Sequence, residues 1–389
     1  MTLTFLTNFI NHHQVSLADE YYKILGDDYT FVAYEPLPDS FRRSGYPEYN
    51  KPYLLKAYES EDNMKKVLKL IQDSDVVVFG QFPYSLVRKR ILANKLTFCD
   101  DERWFKEYFK DCWKNFKFWF RPLYKFYQHT LYRNKNYYLL CASAYVAYDA
   151  SLVRAFPNKC FKWGYFTQVP DLNMNSILEK KRNTSEVKIL WVGRFIGWKH
   201  PELIVELAMF LKNRGYKFHI DMYGVGYLRE QIVKKVNMME LSQEVSVNGS
   251  LPNEEILKQM QSHHVFCFTS DKNEGWGAVL NEAMSNGCCP VASNMVGAAP
   301  YLIKDGYNGL LYNNDDKTTI YEKVEILLRN PQLREEMTVR AYETMKNTWC
   351  AQTASKKFIQ LATSLLLKKE EYNEFGPCSI APIIKSFLI

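Results

Sequence analysis

At 389 residues the chain is long enough for two domains of ordinary size, each with its own core. Apolar residues make up 47% and charged residues 24%, the balance of a soluble globular protein, and no window approaches the ~18 uncharged apolar residues of a membrane span. Net charge is +7 and concentrated: nine Lys/Arg between Arg103 and Lys135 face only Glu107 and Asp111, a surplus equal to that of the whole chain. Such a segment points to a surface with an anionic partner.

The opening "MTLTFLTNFINHH" lacks the basic n-region and the cleavage site of a signal peptide, and the nine cysteines show neither CxxC nor metal-ligand spacing. Reduced, mostly buried thiols in a cytoplasmic protein are expected. Cys288–Cys289 leads into a strand and reads as packing. In the first half, Leu3–Phe9, Tyr29–Glu35, Asp75–Gly80, Lys95–Asp100 and Tyr137–Ser143 read as strands with helices between several of them. The polar stretch 168–186 is the expected linker. After it, "VKILWVG" (187–193), "FHIDMYG" (218–224), "VSVNG" (245–249), "HVFCFTS" (264–270) and "CPVAS" (289–293) alternate with helical patterns, which indicates a parallel doubly wound sheet. A long helical tail is expected from Asn330 to about Lys369. The fold class is therefore α/β, with two Rossmann-like domains, 1–168 and 187–365, facing each other across a cleft, and a C-terminal tail, 366–389.

Ligands of such sheets gather at the carboxyl ends of the strands. There the sequence places "GRFIGWKHPE", in which Gly193 allows close backbone approach, Arg194 offers a planar fork and Lys199 a point charge beside a helix start. Two cations and a helix N-terminus suit a diphosphate; an ordinary charged turn is the plain alternative. In "EGWGAVLNEAMSNG" two carboxylates, Glu274 and Glu282, stand eight positions apart, one in a glycine-lined turn and one in the following helix. Glu274 can accept from sugar hydroxyls and Glu282 from both hydroxyls of a ribose, with the helix amides between them directed at an anion. The plain alternative is one helix-start carboxylate and one solvated carboxylate.

The run "ILWVGRFIGWKHPELIVELA … DMYGVG … VNGSLPNEEI … FTSDKNEGWGAVLNEAMSNGCCPVASNMVGAAPYLIKDGYNGLLY" resembles the nucleotide-sugar-binding domain of glycosyltransferase family 4, retaining enzymes of the GT-B fold. The resemblance spans roughly 187–312 and rests on Glu-x7-Glu combined with the upstream Gly-Arg-x4-Lys. It implies that Arg194 and Lys199 bind the donor diphosphate and stabilise the leaving group, that Glu274 holds the transferred sugar, and that Glu282 holds the ribose. Gly193 and the backbone of Gly275, Trp276, Gly277, Ala278 and Val279 would contact sugar and phosphate. Cations and oriented amides at the departing phosphate lower the barrier without a metal. The donor half has no Asp-x-Asp, so neither metal nor other cofactor is expected.

The first half resembles the family less, having "TNFINHHQVSLADE" where many relatives carry glycines. His12 and His13 are acceptor-side candidates, with His13 placed near the anomeric centre, and Glu102 and Arg103 in "FCDDERWFK" are further ones; His129 and Arg133 rank below them. In 103–135, Trp104, Phe105, Tyr108, Phe109, Cys112, Trp113, Phe116, Trp119 and Phe120 recur at helical spacing, while Lys106, Lys110, Lys114, Lys117 and Arg121 mostly take other faces. That pattern fits either an interfacial basic helix on an anionic membrane or a helix packed under the first sheet. No nucleic-acid-binding motif accompanies it. The function expected is retaining transfer of a sugar from a nucleoside-diphosphate sugar to a lipid-linked or growing cell-surface glycan, in the cytoplasm or at the inner face of the cell membrane. The alternatives are a GT-B-fold epimerase or hydrolase and a non-catalytic nucleotide-sugar-binding scaffold; the donor's base and sugar stay open.

Overall fold

A computed structural model describes residues 1–39, 42, 47–106, 116–369 and 371–385. Chain contacts divide it into two units, Met1–Gln168 with Trp349–Ile389, and Val169–Thr348. In chain order the first stretch runs β1 (Leu3–Thr7), α1 (His12–Leu25), β2 (Tyr29–Ala33), β3 (Leu54–Lys56), α2 (Glu61–Asp73), β4 (Val76–Phe79), α3 (Tyr84–Leu92), β5 (Thr97–Asp101), α4 (Phe116–His129), β6 (Tyr137–Cys141), α5 (Val146–Leu152) and β7 (Cys160–Lys162). The second unit holds α6 (Met174–Arg182), β8 (Val187–Val192), α7 (Glu202–Asn213), β9 (Phe218–Tyr223), α8 (Arg229–Met238), β10 (Val245–Val247), α9 (Asn253–Ser262), β11 (Val265–Phe268), α10 (Ala278–Ser285), β12 (Cys289–Ser293), α11 (Ala299–Leu302), β13 (Leu310–Tyr312), α12 (Thr319–Arg329) and α13 (Pro331–Asn347). The chain then returns to the first unit with α14 (Ala351–Leu366).

Each unit is built on one parallel sheet, ordered β3-β2-β1-β4-β5-β6-β7 in the first and β10-β9-β8-β11-β12-β13 in the second. Their strands are short apolar runs such as VVVF and VFCF, buried along their whole length, as a sheet covered on both faces requires. In both sheets the chain starts near the middle, works outward, then crosses back. The strand order therefore reverses between β1 and β4, and between β8 and β11, and those reversals open a crevice at the carboxyl ends.

Three expectations about organisation need correction. The supposed linker contains α6, capped by Asn173, whose side chain accepts from the Ser176 amide. Its Ile177 and Leu178 are buried and Lys181 donates to the Gly287 carbonyl, so it is part of the second unit. The expected single helical tail does start at Asn330–Pro331, where proline opens a helix, but it breaks once, around Thr348–Cys350. A second domain running to 365 and a tail beginning at 366 do not describe the chain either. On α14 the Phe358 ring lies 5.0 Å from Phe98, 5.7 Å from Tyr21 and 5.7 Å from Trp163, all in the first unit. Beyond it, Ala381 donates to the Cys160 carbonyl and Lys162 to that of Ser379, so the end of the chain covers the exposed edge of β7.

Candidate active site

The site is clearest in the second unit, where β8 and β11 are neighbours and their loops meet at the reversal point. The loop leaving β8 is pinned to the one leaving β9. The Gly193 amide donates to Tyr223, and a Cβ on Gly224 (φ +147°) would fall 1.9 Å from the Gly193 carbonyl oxygen. Glycine is therefore required at 224. Beyond Gly193, Arg194 is exposed, Phe195 enters the core, and Gly197–Lys199 forms a single helical turn. The Arg194 guanidinium lies 5.6 Å and the Lys199 ammonium 4.6 Å from the Trp198 ring, so one indole orders both cations.

Three contacts tie this turn to the loop after β11. The Thr269 hydroxyl donates to the Lys199 carbonyl (2.5 Å), the Asp271 amide donates to the Trp198 carbonyl (3.0 Å), and the Lys199 ammonium pairs with the Glu274 carboxylate. That last pair is largely shielded, with 11% and 12% of the two side chains exposed, which strengthens it over an open surface pair. Gly277 enters α10 in the left-handed region (φ +94°), where a Cβ would meet the Phe268 ring at 2.6 Å. This glycine turns the first amides of α10 toward the loop. Trp276 turns its side chain inward. Its side chain is 1% exposed, its indole N–H donates to Asn281 (2.9 Å), and its carbonyl accepts from the Ala298 amide. It braces the turn, and only its backbone is left to face a ligand. On α10, burial pushes the Glu282 carboxyl up to about 7, with Asn253 drawing it the other way.

In the first unit, β1 stops at Thr7 and Asn11 caps α1 through a capping box with Gln14, so both histidines open a helix at the β1/β4 reversal point instead of lying in a loop. The loops on either side are joined by Asn8, whose amide donates to Gln81 (3.0 Å). His12 and His13 have ring centroids 3.7 Å apart, and His13 stacks on Tyr165 at 5.6 Å. Burial, then the neighbouring His12, pushes the His13 imidazole down to about 3, so it is neutral near pH 7. Tyr165 in turn donates to Glu102 (2.5 Å), which also pairs with Lys106 (2.8 Å). His13, Tyr165 and Glu102 thus form one polar group at the strand ends, and Tyr165 is the member that sequence reasoning missed.

Arg103 does not belong to that group. Its side chain is fully buried, 3.4 Å from Asp149 and 4.9 Å from the Tyr145 ring, so it is a core cation and no acceptor contact. His129 is likewise internal, stacked 4.9 Å from Trp104 and bonded to the Tyr137 hydroxyl (2.9 Å). Arg133 is exposed. Trp104 and Phe105 also sit in the core, whereas Tyr108, Phe109, Cys112, Trp113, Lys110 and Lys114 lie outside the described residues. The eight cysteines among the described residues are unpaired and buried.

Residues 175–344 match the family described as Glycosyl transferases group 1. An α-1,4-N-acetyl-D-galactosaminyltransferase of Campylobacter jejuni, which acts on a diphospho-undecaprenol-linked glycan, is 28% identical over 178 residues, 46% of this chain and 47% of that protein. A poly(ribitol-phosphate) α-N-acetylglucosaminyltransferase of Staphylococcus aureus is 26% identical over 175 residues, 44% and 34% of the two chains. The chain thus spans about half or less of the length of these curated relatives. Among solved structures, Anabaena Alr3699/HepE in complex with UDP superposes with a TM-score of 0.66 at 12% identity, covering 94% of this chain and 100% of that one. The fold is GT-B, and the segment that matches the glycosyltransferase group 1 family fills nearly the whole second unit.

Proposed function

We propose that the protein is a retaining glycosyltransferase that moves a sugar from a nucleoside-diphosphate sugar to a lipid-linked or growing cell-surface glycan. The observation that carries this reading is the junction of the β8 and β11 loops, where Arg194, Lys199 and Glu274 converge on one crevice beside the start of α10. Breaking an anomeric C–O bond to a nucleoside diphosphate puts negative charge on the departing phosphate. Lys199, Arg194 and the α10 amides are positioned to receive it, and in this reading no metal is needed. Before a donor arrives, Lys199 is neutralised by Glu274. The entering diphosphate takes over the ammonium and frees Glu274 for the hydroxyls of the transferred sugar. Glu282, one turn further along α10, takes the ribose, and Gly193, Gly275, Ala278 and Val279 supply backbone contacts. In the first unit His12, His13 and Glu102, joined by Tyr165, are proposed to hold the acceptor, with neutral His13 nearest the reacting carbon.

An acceptor on a lipid carrier requires the enzyme to reach a membrane surface. Among the described residues no helix is long and apolar enough to cross a membrane. On α4 and just past it, however, Phe120, Leu123, Tyr124, Tyr127 and Leu131 follow i, i+3, i+4, i+7 spacing and are 46% to 63% exposed. An apolar stripe facing water, within the most basic part of the chain, suits the headgroup region of an anionic leaflet at the inner face of the cell membrane.

A transfer assay tests the reading. Purified protein, candidate nucleotide sugars and undecaprenyl-linked acceptor extract should yield free nucleoside diphosphate and a glycosylated product. The anomeric configuration of the donor should be kept, and EDTA should leave the rate unchanged. Release of free sugar without acceptor dependence would favour hydrolysis, and inversion would exclude the proposed chemistry.

A further inference from the structure

His200 stands at φ 49°, ψ 53°, in the left-handed region, where a residue with a Cβ is strained unless its surroundings hold it. The side chain supplies the holding contacts. Its Nδ1 lies 2.9 Å from the Glu202 carboxylate and its Nε2 3.2 Å from that of Asp271. Two carboxylates on the two nitrogens call for N–H at both, which is the imidazolium. Burial disfavours that charge, but the bonds to Asp271 and Glu202 outweigh it and keep the ring's pKa above the ordinary histidine value. Opposing them is Lys317, ahead of α12, whose ammonium lies 3.1–3.3 Å from the ring nitrogens. The Tyr312 hydroxyl at the end of β13 is the other titratable group in this network, and it feels both carboxylates.

Asp271 is the hinge of the loop that carries Glu274. Its carboxylate accepts from the Asn273 amide (2.9 Å), its carbonyl accepts from the Glu274 amide (3.0 Å), and its own amide is bonded to Trp198. His200 directly follows Lys199. The ring therefore bridges the turn that bears the cation and the turn that bears the sugar-side carboxylate.

We infer that His200 is a positioning residue for the donor site, a clasp that holds the Lys199 turn and the Glu274 turn in one fixed arrangement through Asp271. This rests on the donor reading above. A histidine whose pKa is raised on folding contributes fully below its ordinary value, and the contribution disappears as pH rises through the folded value. The clasp is thus closed below the ordinary histidine pKa and is released as pH rises through the ring's folded value.

The test is calorimetric titration of UDP into the full chain and into His200→Asn, since asparagine accepts the left-handed backbone. At about pH 6 the variant should bind about tenfold more weakly than wild type, and at about pH 8.5 within about twofold. Because the phosphate of UDP titrates identically in both proteins, the ratio isolates His200. A ratio independent of pH would overturn the inference. Should UDP bind neither protein at any pH, the donor reading has failed and the clasp is judged by NMR. Asp271→Asn must then lower the titration midpoint of the His200 ring in a cooperatively folded protein, and an unmoved midpoint would overturn it.

Discussion

Lys199 and Glu274 each lack an ordinary surface role: they are paired, nearly buried, and held at the same point by Thr269, Asp271 and Trp198. Removing the cation should remove stabilisation of the leaving group and most of the donor affinity, and should leave Glu274 without its partner. Lys199→Ala is expected to lower turnover by about a hundredfold to a thousandfold while thermal melting stays cooperative, as steady-state kinetics and calorimetry would show. Undiminished transfer would refute the assigned role. Glu282 gives a second prediction with a definite sign. Its carboxyl is raised to about 7 from an ordinary 4.5, so the folded protein holds this proton more tightly and loses stability as pH climbs between those values. Glu282→Gln should therefore raise the melting midpoint at pH 8, leave it nearly unchanged at pH 4, and weaken nucleotide binding. Arg103 shows the limit of reading charge from sequence. "CDDERW" offers it as a contact residue, yet Asp149, forty-six positions later, draws it into the core. Arg103→Ala should cost about 3–5 kcal/mol in denaturant unfolding, because it leaves a buried carboxylate without its partner.

At the scale of elements, the strands of the second sheet were readable because they are short, largely apolar runs, three of them closed by glycine (VKILWVG, FHIDMYG and VSVNG). β3, β7 and β13, each three residues long, escaped, whereas the equally short β10 did not. α14 was visible as a helix, but its partners Phe98, Tyr21 and Trp163 are distant in sequence, so its membership of the first unit was not. The stripe on α4 was partly legible through Phe120. Leu123, Tyr124 and Tyr127 became part of it only when their exposure was known. It yields a prediction of its own: the pair Leu123→Glu and Tyr127→Glu should abolish flotation with anionic vesicles while UDP binding is unchanged. Equal flotation of wild type with neutral and anionic vesicles would remove the electrostatic part of the argument.

At the scale of the molecule, the candidate site of the second unit could be named from sequence because its residues lie in local motifs at strand ends, Gly-Arg-x4-Lys and Glu-x7-Glu. The His200–Asp271–Lys317 network and the Tyr165–Glu102 bond were not, since they join residues up to 117 positions apart that no spacing rule connects. The account stands or falls on whether the β8 and β11 loops bind a sugar-linked diphosphate. The most direct measurement is calorimetric binding of a panel of UDP-, GDP- and ADP-sugars to wild type and to Lys199→Ala. The account predicts that one base series binds wild type, with or without EDTA, and that the variant loses most of that affinity. Absence of binding across the panel, or equal binding by the variant, would contradict it.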